Sequence, residues 1–292
     1  MLPFCIKTPP HRFFRDRPRI MGIVNINDDS FSGDGTLEIS EAGRLAGQMI
    51  ADGADIIDVG AESARTNRGE ISETEEIDRL IPFLERWEGL AEGSASRFED
   101  QAMPPLLSVN TWRPAVVRAV LKTGQVDLVN DMGGLPDPEN AKLCAEYGAI
   151  LLIMHTVGLP KVPHLDERYD DVWKSLEDFF EAKIAMARDA GLTDHQILLD
   201  PGIDFAKQKG DNLRIYRELE RIHQFGLPIL LPISRKTVIG DSLDLPEPCD
   251  RDGGTIACLA RGIRAGARCF RVHNVKAAAE AVRVLYAIEE CV

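Results

Sequence analysis

Ala149-Ile150-Leu151-Leu152-Ile153-Met154-His155 is an unbroken apolar run closed by a histidine. A strand with one wet face alternates apolar and polar residues. A run like this suits a strand covered on both faces, as in a parallel sheet. Seven more short, mostly apolar runs follow the same habit, over residues 20–25, 55–59, 106–110, 126–130, 196–200, 228–233 and 269–272. Helical patterns lie between and after them, over 40–51, 72–87, 113–123, 138–147, 171–190, 212–224, 255–265 and 275–290. Ser40 is placed to cap the first, and Ser72 with Glu75 makes the Ser-x-x-Glu cue that opens the second. Eight strand-and-helix pairs predict an α/β fold, a single (β/α)8 barrel of the TIM type. The 292 residues fit a barrel of roughly 250 with extensions.

An open doubly wound sheet also alternates strands and helices. The strand ends favour the barrel. Asn25, Asp58 with Glu62, Asn110, Asn130, His155, Asp200, Ser234 to Lys236, and Arg271 with His273 all stand at or just past them. A barrel gathers those ends on one face, where barrel active sites sit, whereas an open sheet spreads them along an edge. No linker divides the chain. The expected layout is an N-terminal extension over 1–19 and one barrel domain over 20–292. Residues 88–105 read as a surface loop, and the βα loops 27–38 and 63–71 have the Gly, Asn, Asp, Ser and Thr content of binding loops.

Composition sets limits on partners. Hydrophobic residues are 44% and charged residues 28%, which excludes collagen, disulfide scaffolds and wholly disordered chains. A net charge of −13 argues against nucleic acid or an anionic membrane as partner, since both are polyanions. The six cysteines form no C-x-x-C pair and no zinc spacing, and they read as thiols of a reducing compartment. No apolar run approaches the ~20 residues of a membrane span. The first residues run from apolar to basic, the reverse of a secretory signal, so a cytoplasmic location is expected.

The strand-end residues suggest a ligand with a planar heterocycle and an anion. Asn25, Asn110 and Asn130 offer amides with a donor and an acceptor end, and Asp200 offers a carboxylate. Amides and a carboxylate match the mixed edge of a purine or pterin, where a carboxylate accepts from an exocyclic amine and a ring N–H together. Each Asn or Asp taken alone is as well explained as a cap or turn residue. Arg65, Arg271 and Arg235 are candidates to hold phosphate or diphosphate. No G-x-S-x-G elbow, Walker loop or G-x-G-x-x-G after a strand is present.

Eight motifs occur in order. They are Met21-Gly-Ile-Val-Asn25 with Asp29-Ser30-Phe31-Ser32, Asp55-Ile-Ile-Asp58-Val-Gly60, Ser108-Val-Asn110-Thr111, Asn130-Asp131-Met-Gly133-Gly134, Met154-His155, Asp200-Pro201-Gly202-Ile203, Ser234-Arg235-Lys236 and Arg271-Val272-His273. Together they resemble dihydropteroate synthase, from about Ile20 to the C-terminus. The Ser-Arg-Lys and Arg-Val-His signatures point away from the corrinoid-linked methyltransferases that share the barrel. The resemblance implies that hydroxymethyl-dihydropterin diphosphate condenses with p-aminobenzoate, with loss of pyrophosphate assisted by Mg²⁺. It implies Asn25, Arg65, Lys236, Arg271 and His273 at the reacting groups, with Asn25 also toward the metal. It further implies Asn110, Asn130, Asp200, Ser234, Met154 and Phe205 on the substrates, together with Lys236 and Arg271. A homodimer is the assembly implied.

The chain departs from the family pattern unevenly. Asn27-Asp28 replaces Thr-Pro, Ser63-Ala64-Arg65-Thr66-Asn67 replaces Ser-Thr-Arg-Pro-Gly, and Asp204-Phe205-Ala206-Lys207 replaces Gly-Phe-Gly-Lys. Asn110 stands where the family has Asp, which removes a negative charge near the expected cation. Asp28, Asp29 and Asp204 are candidates to replace it. The altered loops leave open a pterin-binding paralogue with another acceptor or pterin, and Asn110 leaves open a non-catalytic pterin-binding protein.

Overall fold

Arg19–Asn25 (β1), Ile56–Gly60 (β2), Leu106–Asn110 (β3), Leu128–Asp131 (β4), Ile150–Met154 (β5), Ile197–Asp200 (β6), Leu230–Pro232 (β7) and Cys269–Val272 (β8) are the strands. They belong to a computed structural model that describes residues 14, 17–27, 35–62, 69–98, 104–158, 160–162 and 167–290. The helices are Ile39–Ala51 (α1), Glu73–Leu84 (α2), Trp87–Gly93 (α3), Pro114–Leu121 (α4), Glu139–Tyr147 (α5), Val172–Asp189 (α6), Lys209–Arg217 (α7), Thr237–Leu243 (α8), Asp252–Arg264 (α9) and Val275–Glu290 (α10). At least one follows every strand.

The strands pair in the order β6-β5-β4-β3-β2-β1-β8-β7, each pair parallel. A bridge between Leu199 and Ile229 and a 3.0 Å bond from Leu199 N to Pro228 O join β6 to the start of β7 and close the ring. This is the (β/α)8 barrel, and the open sheet is excluded. β7 is shorter than the run 228–233 suggests. Pro228 precedes it and Pro232 is its last residue, and neither has an N–H for the ladder.

The period of two divides the core. Ile150, Leu152 and Met154 point into the barrel with Met21, Ile56, Leu106, Leu128, Leu198 and Cys269. Leu151 and Ile153 point outward to the helices with Val24, Val59, Val109, Val129 and Leu199. Phe14 is buried in the inner layer, below the strands. Continuous apolar strands arise because both faces are covered.

Several helices depart from the sequence reading. Ser40 does not cap α1. Glu38 holds the N-cap position without a side-chain bond, and Thr36 Oγ1 accepts from Glu38 N at 3.1 Å. Ser72 does cap α2, accepting from Glu75 N at 3.1 Å. The pattern 72–87 ends early, and α3 takes the opening of the stretch 88–105 expected to be loop. The pattern 212–224 is α7, starting earlier, followed by a 3-10 helix, Leu219–Phe225. Helix α8 was not anticipated. Residues 28–34 and 63–68 of the two expected binding loops lie outside the described residues. Among the described residues, no helix is long and apolar enough to cross a membrane.

Candidate active site

Inward-facing positions change character along each strand. Leu128 is followed two residues later by Asn130, Leu198 by Asp200, Cys269 by Arg271 and Ile56 by Asp58. Leu106 is followed by Ser108 and then Asn110. A strand sends every second side chain to one face, so the barrel has an apolar floor and a polar mouth at its C-terminal end.

Asp58 organises that mouth. Its carboxylate is fully buried. Oδ1 accepts from Ser108 Oγ at 2.5 Å, and Oδ2 accepts from Asn130 Nδ2 at 3.0 Å and Arg271 Nε at 2.7 Å. One carboxylate thus sets the side chains of β3, β4 and β8. Because Asn130 donates to Asp58, its Oδ1 is the end turned elsewhere, an orientation assigned from the network. Asn110 pairs in register with Asn130. Its Oδ1 is buried and has no hydrogen-bond partner among the described residues. A buried, unmatched acceptor keeps its full capacity for a hydrogen-bond donor.

Asp200 is next across β5, in register with Met154. Oδ1 accepts from Gly202 N at 2.7 Å. Burial pushes the carboxyl up to about 6, against the pull of the Gly202 N–H and of Lys236, Lys207 and Arg271. Gly202 has φ 65°, and a Cβ there would lie 1.9 Å from His155 O, so the turn admits only glycine. Met154 is buried in the inner layer, and Met132 and Phe205 rest against it.

The cations lie beyond. Arg271 reaches the mouth with 21% of its side chain exposed. Ser234 Oγ accepts from His273 N at 3.1 Å and lies 2.8 Å from His273 Nδ1. With the hydroxyl proton on Nδ1, the ring carries its own proton on Nε2. Lys236 Nζ donates to Ile203 O at 2.9 Å and sits 4.8 Å from the Phe205 ring centre. Burial lowers its pKa, while Asp204 and Asp200 oppose the shift. Arg235 is turned aside, with bonds of 2.8 and 3.2 Å to Asp252. Asn25 tops β1, in register with Gly60. Arg65 and the acidic Asp28 and Asp29 lie outside the described residues.

Three contributors were not among the expected site residues. Asp58 reads in the sequence as a strand end, although a carboxylate in a run such as Ile-Ile-Asp-Val is a signal in itself. Lys207 stands in the segment Asp204-Phe205-Ala206-Lys207, whose pattern assigns it no role. Its buried ammonium meets His155 Nδ1 at 2.8 Å, Gly202 O at 2.9 Å, Phe205 O at 3.0 Å and His155 O at 3.3 Å, drawing the β6 loop together. Burial brings Lys207 down to about 7 and His155 well below its ordinary value, so the imidazole is neutral. Met132 is the third. Glu62, by contrast, is bound up within the protein. Its carboxylate and that of Glu76 both accept from Arg113 Nη1 at 2.5 Å.

The family described as pterin binding enzyme matches residues 21–273. Dihydropteroate synthase of Escherichia coli is 38% identical over 271 residues, covering 92% of this chain and 91% of that one. A dihydropteroate synthase structure from Clostridium difficile, determined with pteroic acid, has a TM-score of 0.80 and 36% identity over 94% of this chain and 97% of that one. One from Xanthomonas albilineans with 4-aminobenzoic acid has a TM-score of 0.81 and 32% identity over 94% of each. A barrel whose mouth presents Asn110, Asn130, Asp200 and Lys236, with Arg271 and His273 beside them, is thus matched along nearly its whole length, and the chain belongs to the dihydropteroate synthase family of pterin-binding enzymes.

Proposed function

We propose that the chain condenses hydroxymethyl-dihydropterin diphosphate with p-aminobenzoate in folate biosynthesis. The C–O bond at the pterin methylene breaks and its electron pair leaves with pyrophosphate. The arylamine nitrogen then bonds to that carbon and gives up a proton. The observation that carries this reading is the pairing of acceptors at the mouth, the unmatched Asn110 Oδ1 and the Asp200 carboxylate held at Oδ1 by Gly202 N, with a rim of N–H donors from Arg271, His273 and Lys236. An aminopyrimidinone edge presents the matching donors, and a diphosphate the matching charge.

In this reading Asn130 and Asp200 grip the pterin, with Asn110 accepting from a ring donor. Met154, Met132 and Phe205 pack on the ring system. Arg271 and His273 stabilise the charge growing on the leaving diphosphate, with Ser234 holding His273 in place. Lys236 lies between the pterin and acceptor sides, and Arg65 serves the anionic groups. Asn25 would offer one amide oxygen to Mg²⁺, which when bound would supply charge neutralisation on the diphosphate. No cluster of three or more His, Cys, Asp or Glu suited to a metal occurs among the described residues.

The test is turnover of the two substrates by the purified protein, with pyrophosphate release and complementation of a strain lacking dihydropteroate synthase. Tight pterin binding without turnover would favour the second reading, a pterin-binding paralogue, which Asn110 and the altered β6 loop support. A cytoplasmic homodimer completes the proposal. Val284 and Ile288 are exposed apolar residues one turn apart on α10, suited to a subunit contact. Light scattering gives the assembly.

A further inference from the structure

Asp204 and Ala206 flank Phe205 with φ angles of 67° and 51°, in the left-handed region that favours glycine. Strain of this kind persists where surrounding contacts over-determine it. For Asp204 those contacts are visible. Its Oδ2 accepts from Thr237 N. Its Oδ1 accepts from Val238 N at 3.3 Å and Asn212 Nδ2 at 3.2 Å, and Asp204 N donates to Asn212 Oδ1 at 2.9 Å. Asn212 itself is buried on α7. On either side of this knot, Lys236 reaches back to Ile203 O and over the Phe205 ring. Three consecutive residues of the β6 loop, 203–205, therefore meet three consecutive residues after β7, 236–238.

Resting on the synthase reading, we infer that Asp204 is a positioning residue that locks Phe205 and Lys236 together as one preset wall for the arylamine acceptor. The pterin edge is met by residues of β3, β4 and β6 and the anion by β7 and β8, so the wall between β6 and β7 falls to the second substrate. Asp204 touches neither substrate. Its carboxylate is committed to α7 and α8, so it does not replace the charge missing at Asn110. An ordinary loop of this length samples several conformations, and a lock removes that cost before the acceptor arrives.

Asp204→Gly separates the lock from the backbone, because glycine adopts the same φ without strain but has no carboxylate. The expected result is a rise of about tenfold in KM for p-aminobenzoate with kcat and pterin affinity nearly unchanged. Asp204→Asn keeps one acceptor and tolerates the conformation, and it restores most of the loss. Hydrogen exchange at the Thr237 and Val238 amides should quicken in the glycine variant. Unchanged exchange overturns the lock whether or not the protein turns over. Faster exchange with both KM values unchanged overturns the positioning role. Absent turnover in the wild type refutes the synthase reading, and the exchange result then decides the lock alone.

Discussion

Asp55 and Asp58 are buried carboxylates at opposite ends of one short stretch of chain, yet they serve different ends of the barrel. At the bottom, Asp55 accepts from Arg17 at 2.5 and 3.0 Å, from Arg19 at 3.3 Å and from Ile20 N at 2.9 Å. All of these donors are protein groups, the Arg17 and Arg19 side chains are only 15% and 10% exposed, and the result is a closed end. At the mouth, Asp58 holds Asn130 and Arg271, each of which keeps further hydrogen-bonding capacity. The lesson is that burial and charge do not mark a site by themselves. Capacity left over after the protein has satisfied itself does.

The contrast breaks most visibly at the bottom. Asp55→Ala strands two arginines, and breaking such a buried pair should cost about 3–5 kcal/mol of stability in urea unfolding. The kcat/KM of the remaining folded protein should hold. If activity fell in step with no change in stability, the two ends would be coupled. At the mouth the balance reverses. Asp200→Ala should lower pterin affinity by about 1–3 kcal/mol, because the ring's donors lose their acceptor. Its stability at pH 7.5 should stay level or rise. The sign follows from the raised pKa: the folded protein holds its proton longer than the unfolded chain, so this group's contribution falls as pH climbs from 3.8 to about 6. Calorimetry and thermal melting on one preparation check both halves.

A smaller effect comes from pH alone. With Asp200 titrating at about 6, the carboxylate is nearly all ionised at pH 7.5. At pH 5 roughly a tenth remains, so pterin affinity should fall about tenfold over that interval. Equal affinity at both values would mean that the neutral acid binds as well as the anion. The smallest effect concerns Asn110. Asn110→Asp adds a charge at a buried end of β3 where positive charge develops, and a synthase should keep its turnover or gain about twofold to fivefold. A loss of turnover would show that the pocket is tuned to the amide.

Much of the fold was legible in the sequence. The runs 106–110 and 269–272 and the helix 275–290 have the bounds the pattern suggests, because apolar period and length decide them locally. Helix α8 was not legible. It has seven residues, and its first amides are held by Asp204 from another loop, a contact no local window contains. Ser40 misled for a related reason, since a capping residue by itself does not say where the chain turns into the helix.

By itself the sequence determined the eight-fold alternation, the polar strand ends and the motif order, all of which depend on neighbouring residues or on count. Only the tertiary structure decided which charged groups remain available. Arg235 and Arg271 look equivalent in the chain, yet one is taken by Asp252 and the other hangs from Asp58 into the mouth. Asp200 and Asp204 look equally suited to a ligand, yet one faces the mouth and the other ties two loops. The reason is physical. A charge is satisfied by whatever the fold brings within about 3 Å, and those partners come from strands and loops far apart in the sequence.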